Sequence, residues 1–305
     1  MEASFETLGL LSSLFLLIWF IIKIVKGLWT CWLGYYLRFG VKWAPNQNNW
    51  AVITGATDGI GQEYALQLGQ MGYSLLLISR SNEKLQTTEQ MILSACKKQI
   101  KIQTLEIDFT KQEIYDKIEK KMDKLEDIDV LVNNVGMSFN YGEYFTLIPD
   151  GEKFINDMIN VNCLSATQLI KIVLPKMEKR KRGIIINISS VSASHPVPLL
   201  SLYSSTKVYL DFLSRSIEYE YRNKGIVIQS VKPAFVSTKM SKFRPSLTVP
   251  KASDYVKGAL KTVGIETQTY GYWIHKLQGF VQDNIIGSYF STLLTFKTLD
   301  NLRIK

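Results

Sequence analysis

Tyr203 and Lys207 stand four residues apart in Leu-Tyr-Ser-Ser-Thr-Lys-Val, thirteen residues after Ser190. On a helix an i, i+4 pair shares one face, which sets the ammonium beside the phenol. A neighbouring cation favours the phenolate, so the spacing predicts a Tyr203 pKa drawn from about 10 towards neutrality. A tyrosine tuned in that way exchanges a proton with a carbonyl or alcohol oxygen near pH 7. Ser190 follows Gly183-Ile-Ile-Ile-Asn-Ile-Ser, an apolar run that reads as a buried strand, and its hydroxyl can bond the same oxygen.

A second motif lies near the start of the domain. Trp50-Ala-Val-Ile-Thr54 has the pattern of a short strand, Gly55-Ala-Thr57-Asp58-Gly59-Ile60-Gly61 that of a turn, and Gln62 onwards that of a helix. Strand, glycine turn and helix start form a cradle for a pyrophosphate, because the helix N-terminus offers free N–H groups and partial positive charge. Further strand patterns at Ser74–Ser79, Ile102–Ile107, Ile128–Val132, Gly183–Ser189 and Ile226–Val231 alternate with helical stretches. Such alternation predicts an α/β fold with a doubly wound parallel sheet. Arg80 follows the second strand, where a carboxylate would accept a ribose hydroxyl. A guanidinium there pairs instead with a 2′-phosphate, so Arg80, helped by Ser81 and Lys84, predicts NADP(H) over NAD(H).

Thr54-Gly55-x-x-x-Gly59-x-Gly61, Asn133-Asn134-Val135-Gly136, Ser190 and Tyr203-x-x-x-Lys207 together resemble the short-chain dehydrogenase/reductase family, from about Asn49 to Thr238. The apolar N-terminus, Leu-Ile-Ser-Arg80 and Pro-Val-Pro-Leu-Leu200 resemble the branch that holds microsomal very-long-chain 3-oxoacyl-CoA reductases and 17β-hydroxysteroid dehydrogenases of types 12 and 3. The segment Ser241 to Pro250 and Lys261-Thr-Val-Gly264 lean towards the former. The resemblance implies a Rossmann-type fold, with Tyr203 as general acid/base, Ser190 as hydrogen-bond partner of the substrate oxygen and Lys207 on the nicotinamide ribose. It implies that Asn162 holds a water in a proton relay, with Asn160 and Ser189 as the neighbouring alternatives to Asn162 and Ser190. Cofactor contacts are implied for Gly55, Thr57, Asp58, Gly59, Ile60, Gly61, Arg80, Asp108, Asn133, Gly136, Tyr203, Lys207, Pro233, Val236 and Thr238. Pro233-Ala234 departs from the family's Pro-Gly, which puts the backbone contact there in question.

The chain has 305 residues, 46% of them hydrophobic, enough for one large core and an appendage. Cys31, Cys96 and Cys163 are odd in number and scattered, and His195 and His275 have no ligand spacing, so neither a disulfide framework nor a metal site is expected. The net charge of +9 comes from clusters such as Lys176 to Arg182, without a nucleic-acid recognition motif. It suits an anionic membrane surface or CoA phosphates better.

Between Glu6 and Lys23 lie sixteen uncharged, mostly bulky apolar residues, followed by Trp29, Trp32, Tyr35 and Tyr36. With Lys23 snorkelling, this reads as an uncleaved transmembrane helix with an interfacial aromatic belt. Lys23, Lys26, Arg38 and Lys42 follow it, which orients what comes next to the cytosol. The expected organisation is an anchor and interfacial segment over 1–45, a catalytic domain over 46–270 and a C-terminal extension over 271–305. In that extension the apolar stretch Asn284 to Phe296 is a lid, a membrane contact or a packed helix. The expected activity is NADPH-dependent reduction of a lipid-like ketone at the endoplasmic reticulum membrane: a long-chain 3-oxoacyl-CoA, in fatty-acid elongation. The alternatives are a 17-ketosteroid such as estrone or androstenedione, or a silent scaffold on the same fold. A homodimer or elongation partners are expected to accompany it.

Overall fold

A computed structural model describes residues 2–29, 33, 36–37, 39–43, 45 and 48–303. Cys31, Trp32, Tyr35 and Arg38 lie outside the described residues. Seven strands form one parallel sheet: β1 (Asn49–Thr54), β2 (Ser74–Ser79), β3 (Ile102–Glu106), β4 (Asp127–Asn133), β5 (Gly183–Ile188), β6 (Ile226–Val231) and β7 (Gln268–Thr269), in the order β3-β2-β1-β4-β5-β6-β7. The order reverses between β1 and β4, and at that switch point a parallel α/β sheet opens a crevice at its carboxyl edge. The central strands are largely apolar because both faces are covered, while the edge strands β3 and β7 are more polar. Ala51, Ile53, Leu75, Leu77, Val130 and Val132 pack on one side, and Trp50, Val52, Leu76, Ile78 and Leu131 on the other.

The connecting helices are α2 (Gly59–Met71), α3 (Asn82–Ala95), α4 (Tyr115–Met122), α5 (Gly151–Ile159), α6 (Ser165–Arg180), α7 (Ser201–Tyr221) and α8 (Ala252–Thr262). A π-helical turn, Asn160–Leu164, joins α5 to α6. The short β7 went unpredicted, since two residues carry no periodicity; it is held by pairing with Ser230 and Val231 of β6. After it come α9 (Trp273–Val281), a second π turn (Gln282–Ile286) and α10 (Gly287–Leu302), so the apolar stretch beyond Asn284 is helical.

Ahead of the sheet stands α1 (Glu2–Leu28), in which Phe5–Val25 is long and apolar enough to cross a membrane and is wholly exposed. Its 21 residues reach about 32 Å at ~1.5 Å per residue, against ~30 Å of bilayer hydrocarbon. The helix runs through Lys23, whose ammonium lies 5.4 Å from the Trp19 ring centroid.

The basic run closing α6 is engaged in local ion pairs. Lys176 meets Asp123 at 2.5 Å, Arg180 meets Asp129 at 2.8 Å and Asp127 at 3.2 Å, and Arg182 meets Asp129 at 2.6 Å. Asp129 is 2% exposed, so it relies on these two guanidinium groups in place of water. Asp129→Ala should cost about 3 kcal/mol, the low end for breaking a buried pair, because the arginines keep partial solvent access. Thermal unfolding in detergent should show the midpoint fall by roughly 6–12 °C; a shift under about 2 °C would mean that the cluster does not hold β4 to α6.

Candidate active site

The glycine turn is built by two side chains at the carboxyl edge of the sheet. Thr54 Oγ1 accepts from the N–H groups of Asn134 and Val135, each at 3.0 Å. Asn134 Nδ2 donates to the carbonyls of Thr54 and Gly55 at 3.0 and 3.2 Å. Together they staple the end of β1 to the end of β4 across the switch point. Gly55 and Gly59 have φ of +63° and +53°, conformations that favour glycine. A Cβ on Gly61 would strike Asn134 Nδ2 and the Gly55 carbonyl, and one on Gly59 would come 2.9 Å from Thr238 Cγ2. The roles of Thr54 and Asn134 went unread in the sequence because their partners are 80 residues away; the Thr-Gly and Asn-Asn pairs were the available signal.

Around this turn, Thr57 Oγ1 and Ser79 Oγ are 2.9 Å apart, Ile60 packs on the core, and Asp58 leads into α2 with its carboxylate 3.6 Å from Lys239. Arg80 is exposed at the end of β2 and pairs with no carboxylate among the described residues. Ser81 caps α3, accepting from the N–H of Lys84, and Asp108 is exposed and accepts from the N–H of Thr110 at 3.1 Å. Asn133 points into the sheet instead, its Nδ2 donating to Asn187 Oδ1 at 2.8 Å. Val191 N–H donates to the Pro233 carbonyl at 2.9 Å, and Val236 is buried. The Ala234 N–H is committed to His275 Nδ1 at 3.3 Å, while His275 Nε2 lies 3.3 Å from the Thr248 carbonyl. Burial pushes the His275 pKa down, which suits the neutral tautomer accepting at Nδ1. A lone histidine in an apolar helix gave no hint that it holds the loop after β6.

Tyr203 and Lys207 lie on the first turns of α7, and Ser190 is the second residue after β5. Lys207 is 5% exposed, and its Nζ donates to the Ile188 carbonyl at 3.0 Å. Its floor is Gly136, where a Cβ would sit 3.3 Å from Lys207 Nζ and 3.5 Å from Asn162 Oδ1. Ser190 Oγ donates to Ser192 Oγ at 3.0 Å and accepts from the Ser192 N–H at 3.1 Å. Asn162 sits in the first π turn, donating to the Met137 carbonyl (2.9 Å) and Thr206 Oγ1 (3.0 Å) and accepting from the Met137 N–H (2.8 Å). Asn160 and Ser189 face elsewhere: Asn160 ties Thr110 and Gln112, and Ser189 donates to the Lys207 carbonyl.

The expected electrostatics need correction. Burial pushes the Tyr203 pKa up, and a hydrogen bond with Ser190 offsets only part of that. Lys207 does not reverse it, because its Nζ sits 5.7 Å from the ring centroid, over the ring and bonded to Ile188. The i, i+4 rule gave the shared face correctly but could not give the dielectric. Tyr203 therefore keeps its proton at neutral pH, the state of a proton donor. Burial also pulls Lys207 from 10.5 down to about 8.

A chain of contacts covers this region from the C-terminus. Asp283 Oδ1 lies 3.0 Å from His195 Nε2, and Asp283 Oδ2 accepts from Tyr270 at 3.0 Å. Thr292 donates to the Pro196 carbonyl at 3.3 Å, and Arg303 pairs with Glu143 at 3.3 Å. Hence α10 crosses the two loops that leave the carboxyl ends of β4 and β5.

Because Lys207 has a folded pKa below its unfolded value, the cost of its buried charge is full below about pH 8 and fades as pH rises towards 10.5. Lys207→Met should therefore raise the melting temperature of the cofactor-free protein by a few degrees at pH 7, with the gain shrinking by pH 10. Equal or lower melting temperatures at pH 7 would show that the ammonium is not the burden its burial implies.

The family profile described as short chain dehydrogenase matches residues 49–246. The very-long-chain 3-oxoacyl-CoA reductase-A of Danio rerio is 47% identical over 281 residues, 92% of this chain and 86% of that relative. The Homo sapiens very-long-chain 3-oxoacyl-CoA reductase is 47% identical over 242 residues, 79% of this chain and 77% of its own. Among solved structures, a short-chain dehydrogenase from Sphingobium yanoikuyae in complex with NADPH superposes with a TM-score of 0.62 at 27% identity, over 70% of this chain and 83% of that one.

Proposed function

This chain belongs to the short-chain dehydrogenase family, and we propose that it reduces long-chain 3-oxoacyl-CoA to 3-hydroxyacyl-CoA with NADPH at the endoplasmic reticulum membrane. The observation that carries the substrate class is the 47% identity to a very-long-chain 3-oxoacyl-CoA reductase over 92% of the chain. It favours an acyl-CoA over the steroid alternative, and the retention of Tyr203 and Lys207 speaks against a silent scaffold.

The residues present fit NADP(H). The turn Gly55 to Gly61 has no room for side chains at its three glycines, Gly136 leaves a floor bare beneath Lys207, and Arg80 is open to a 2′-phosphate. Thr57, Asp58, Ile60, Asp108, Pro233, Val236 and Thr238 would complete the cradle, with Asn133 bracing it from within the sheet. Lys207 and Tyr203 would hold the nicotinamide ribose. When bound, the cofactor supplies a hydride. The chain's own part is protonic and electrostatic. Tyr203, kept protonated by burial, gives its proton at the substrate carbonyl oxygen, and Ser190 Oγ turns from Ser192 to donate to the same oxygen. Asn162 braces Met137 in the loop after β4 and lines the route by which Tyr203 regains a proton.

We place α1 across the membrane with the catalytic domain cytosolic, an arrangement supported by the lysines after the span. The division into an anchor over 1–45, a catalytic domain over 46–270 and an extension over 271–305 belongs to the same reading. So does a homodimer or a fatty-acid elongation partner, for which the exposed Val208, Tyr209 and Phe212 of α7 offer a surface.

Two substitutions test the chemistry. Tyr203→Phe should leave NADPH binding nearly intact and lower 3-oxoacyl-CoA turnover by roughly two or more orders of magnitude. The wild type, in side-by-side kinetics, should show a higher kcat/KM for a long-chain 3-oxoacyl-CoA than for estrone or androstenedione. Turnover of the variant within a few-fold of wild type, or a steroid preference, would each remove one part of the proposal. Arg80→Asp should weaken NADPH and narrow or invert its advantage over NADH, measured as a ratio of kcat/KM values. An unchanged ratio would put the 2′-phosphate elsewhere.

A further inference from the structure

The C-terminal helices have an outer face that none of the described residues covers. Along α10, Tyr289, Phe290, Leu293 and Leu294 are 75, 59, 37 and 55% exposed, and Ile285 just before them is 69% exposed. These α10 positions recur on one side of a helix, and Lys297, one turn beyond Leu293, closes the stripe with a charge. The opposite side is held to the protein by Thr292 and Arg303, so the outward orientation of the stripe is fixed by contacts at both ends.

On α9, Trp273, Leu277 and Phe280 share a face, and Phe280 meets Phe20 of α1 edge-on, with ring centroids 6.3 Å apart. That contact gives the face a depth. Phe20 precedes Lys23 by three residues, or about 5 Å at ~1.5 Å per residue, so it lies just inside the hydrocarbon if Lys23 marks the interface. Interfacial helices bury their apolar face ~5–10 Å below the headgroups, which is the depth that Phe280 must share.

A groove of about 420 Å³ beside α9 is lined by Tyr36, Trp273, Lys257, Lys261, Lys276 and Asp254. Lys276 also reaches Glu266 at 2.5 Å. Aromatics and a lysine excess next to the segment leaving the anchor are the chemistry of a headgroup layer.

We propose that α9 and α10 form a second membrane contact, lying in the interface with their outer face in the acyl region and the lysine-lined groove against anionic headgroups. Its occupant is the bilayer that α1 crosses. Since α10 also roofs the loops bearing Ser190 and Gly136, the contact sets the substrate side of the site against lipid. The proposal rests on the membrane placement above, but its test does not depend on activity.

Full-length protein with its three native cysteines replaced by serine is reconstituted into vesicles containing phosphatidylserine, with a polarity-sensitive fluorophore attached through F290C, L294C or, as control, L93C. Leu93 lies on α3, beside β3 at the far edge of the sheet, and is 46% exposed. Doxyl-labelled lipid should quench the labels at 290 and 294 at least about threefold more than that at 93, and aqueous iodide should do the reverse. Iodide quenching at 290 and 294 equal to that at 93 overturns the proposal. Shielding of both from either quencher also overturns it and assigns the face to a protein partner, a second copy included. Lipid quenching at 290 and 294 without 3-oxoacyl-CoA reduction would leave this contact standing and remove the substrate reading instead.

Discussion

A lysine ammonium enclosed in protein is the constraint on which the rest of the site depends. Among the described residues, Lys207 Nζ has one protein acceptor at hand, the Ile188 carbonyl at the end of β5, and a bare glycine for a neighbour at Gly136. That position fixes α7 against the sheet, because Ser189 Oγ also donates to the Lys207 carbonyl. The ammonium and the start of the helix are thus held by two consecutive residues of one strand end. The charge is costly in the bare protein and becomes useful where a polar ligand can share it, a stability–function conflict of the kind expected at a binding site.

The parallel sheet makes that arrangement available. Every strand delivers its C-terminal residues to one edge, so Thr54, Ser79, Asn133 and Ile188, which are far apart in the chain, end within one band. Asn134 then couples the two sides of the switch point by bonding the carbonyls of Thr54 and Gly55. The glycine turn is thereby braced by the ends of both strands. Farther along the edge, His275 ties the loop after β6 to α9, and Asp283 ties the loop after β5 to the π turn between α9 and α10. The C-terminal extension is therefore fastened to the same edge as Ser190, Tyr203 and Lys207.

That fastening also brings the extension beside α1. α1 is exposed along its whole apolar length, and Phe20 touches Phe280 of the extension. On the proposed reading, a lipid-like ketone would reach Ser190 and Tyr203 from the phase that takes up α1, beside the roof of the site.

Sequence alone determined what depends on local order. Largely apolar strands alternating with helices imply a parallel sheet, and six of the seven strands were legible to within a residue or so, whereas β7 owes its existence to pairing with β6. The glycine turn and the Tyr203–Lys207 face were legible because their spacing is itself the geometry. The extent of α1 was nearly so, since the run of apolar residues sets its length. Only the tertiary structure decided the rest. It reversed the direction of the Tyr203 shift, because enclosure in protein outweighs a neighbouring charge that is bonded elsewhere. It brought Thr54 to Asn134 and Ala234 to His275, and it turned an ambiguous apolar C-terminus into a helix with one face fastened over the site and one left bare. Dielectric and long-range hydrogen bonds arise from what folding brings together, and no spacing along the chain encodes them.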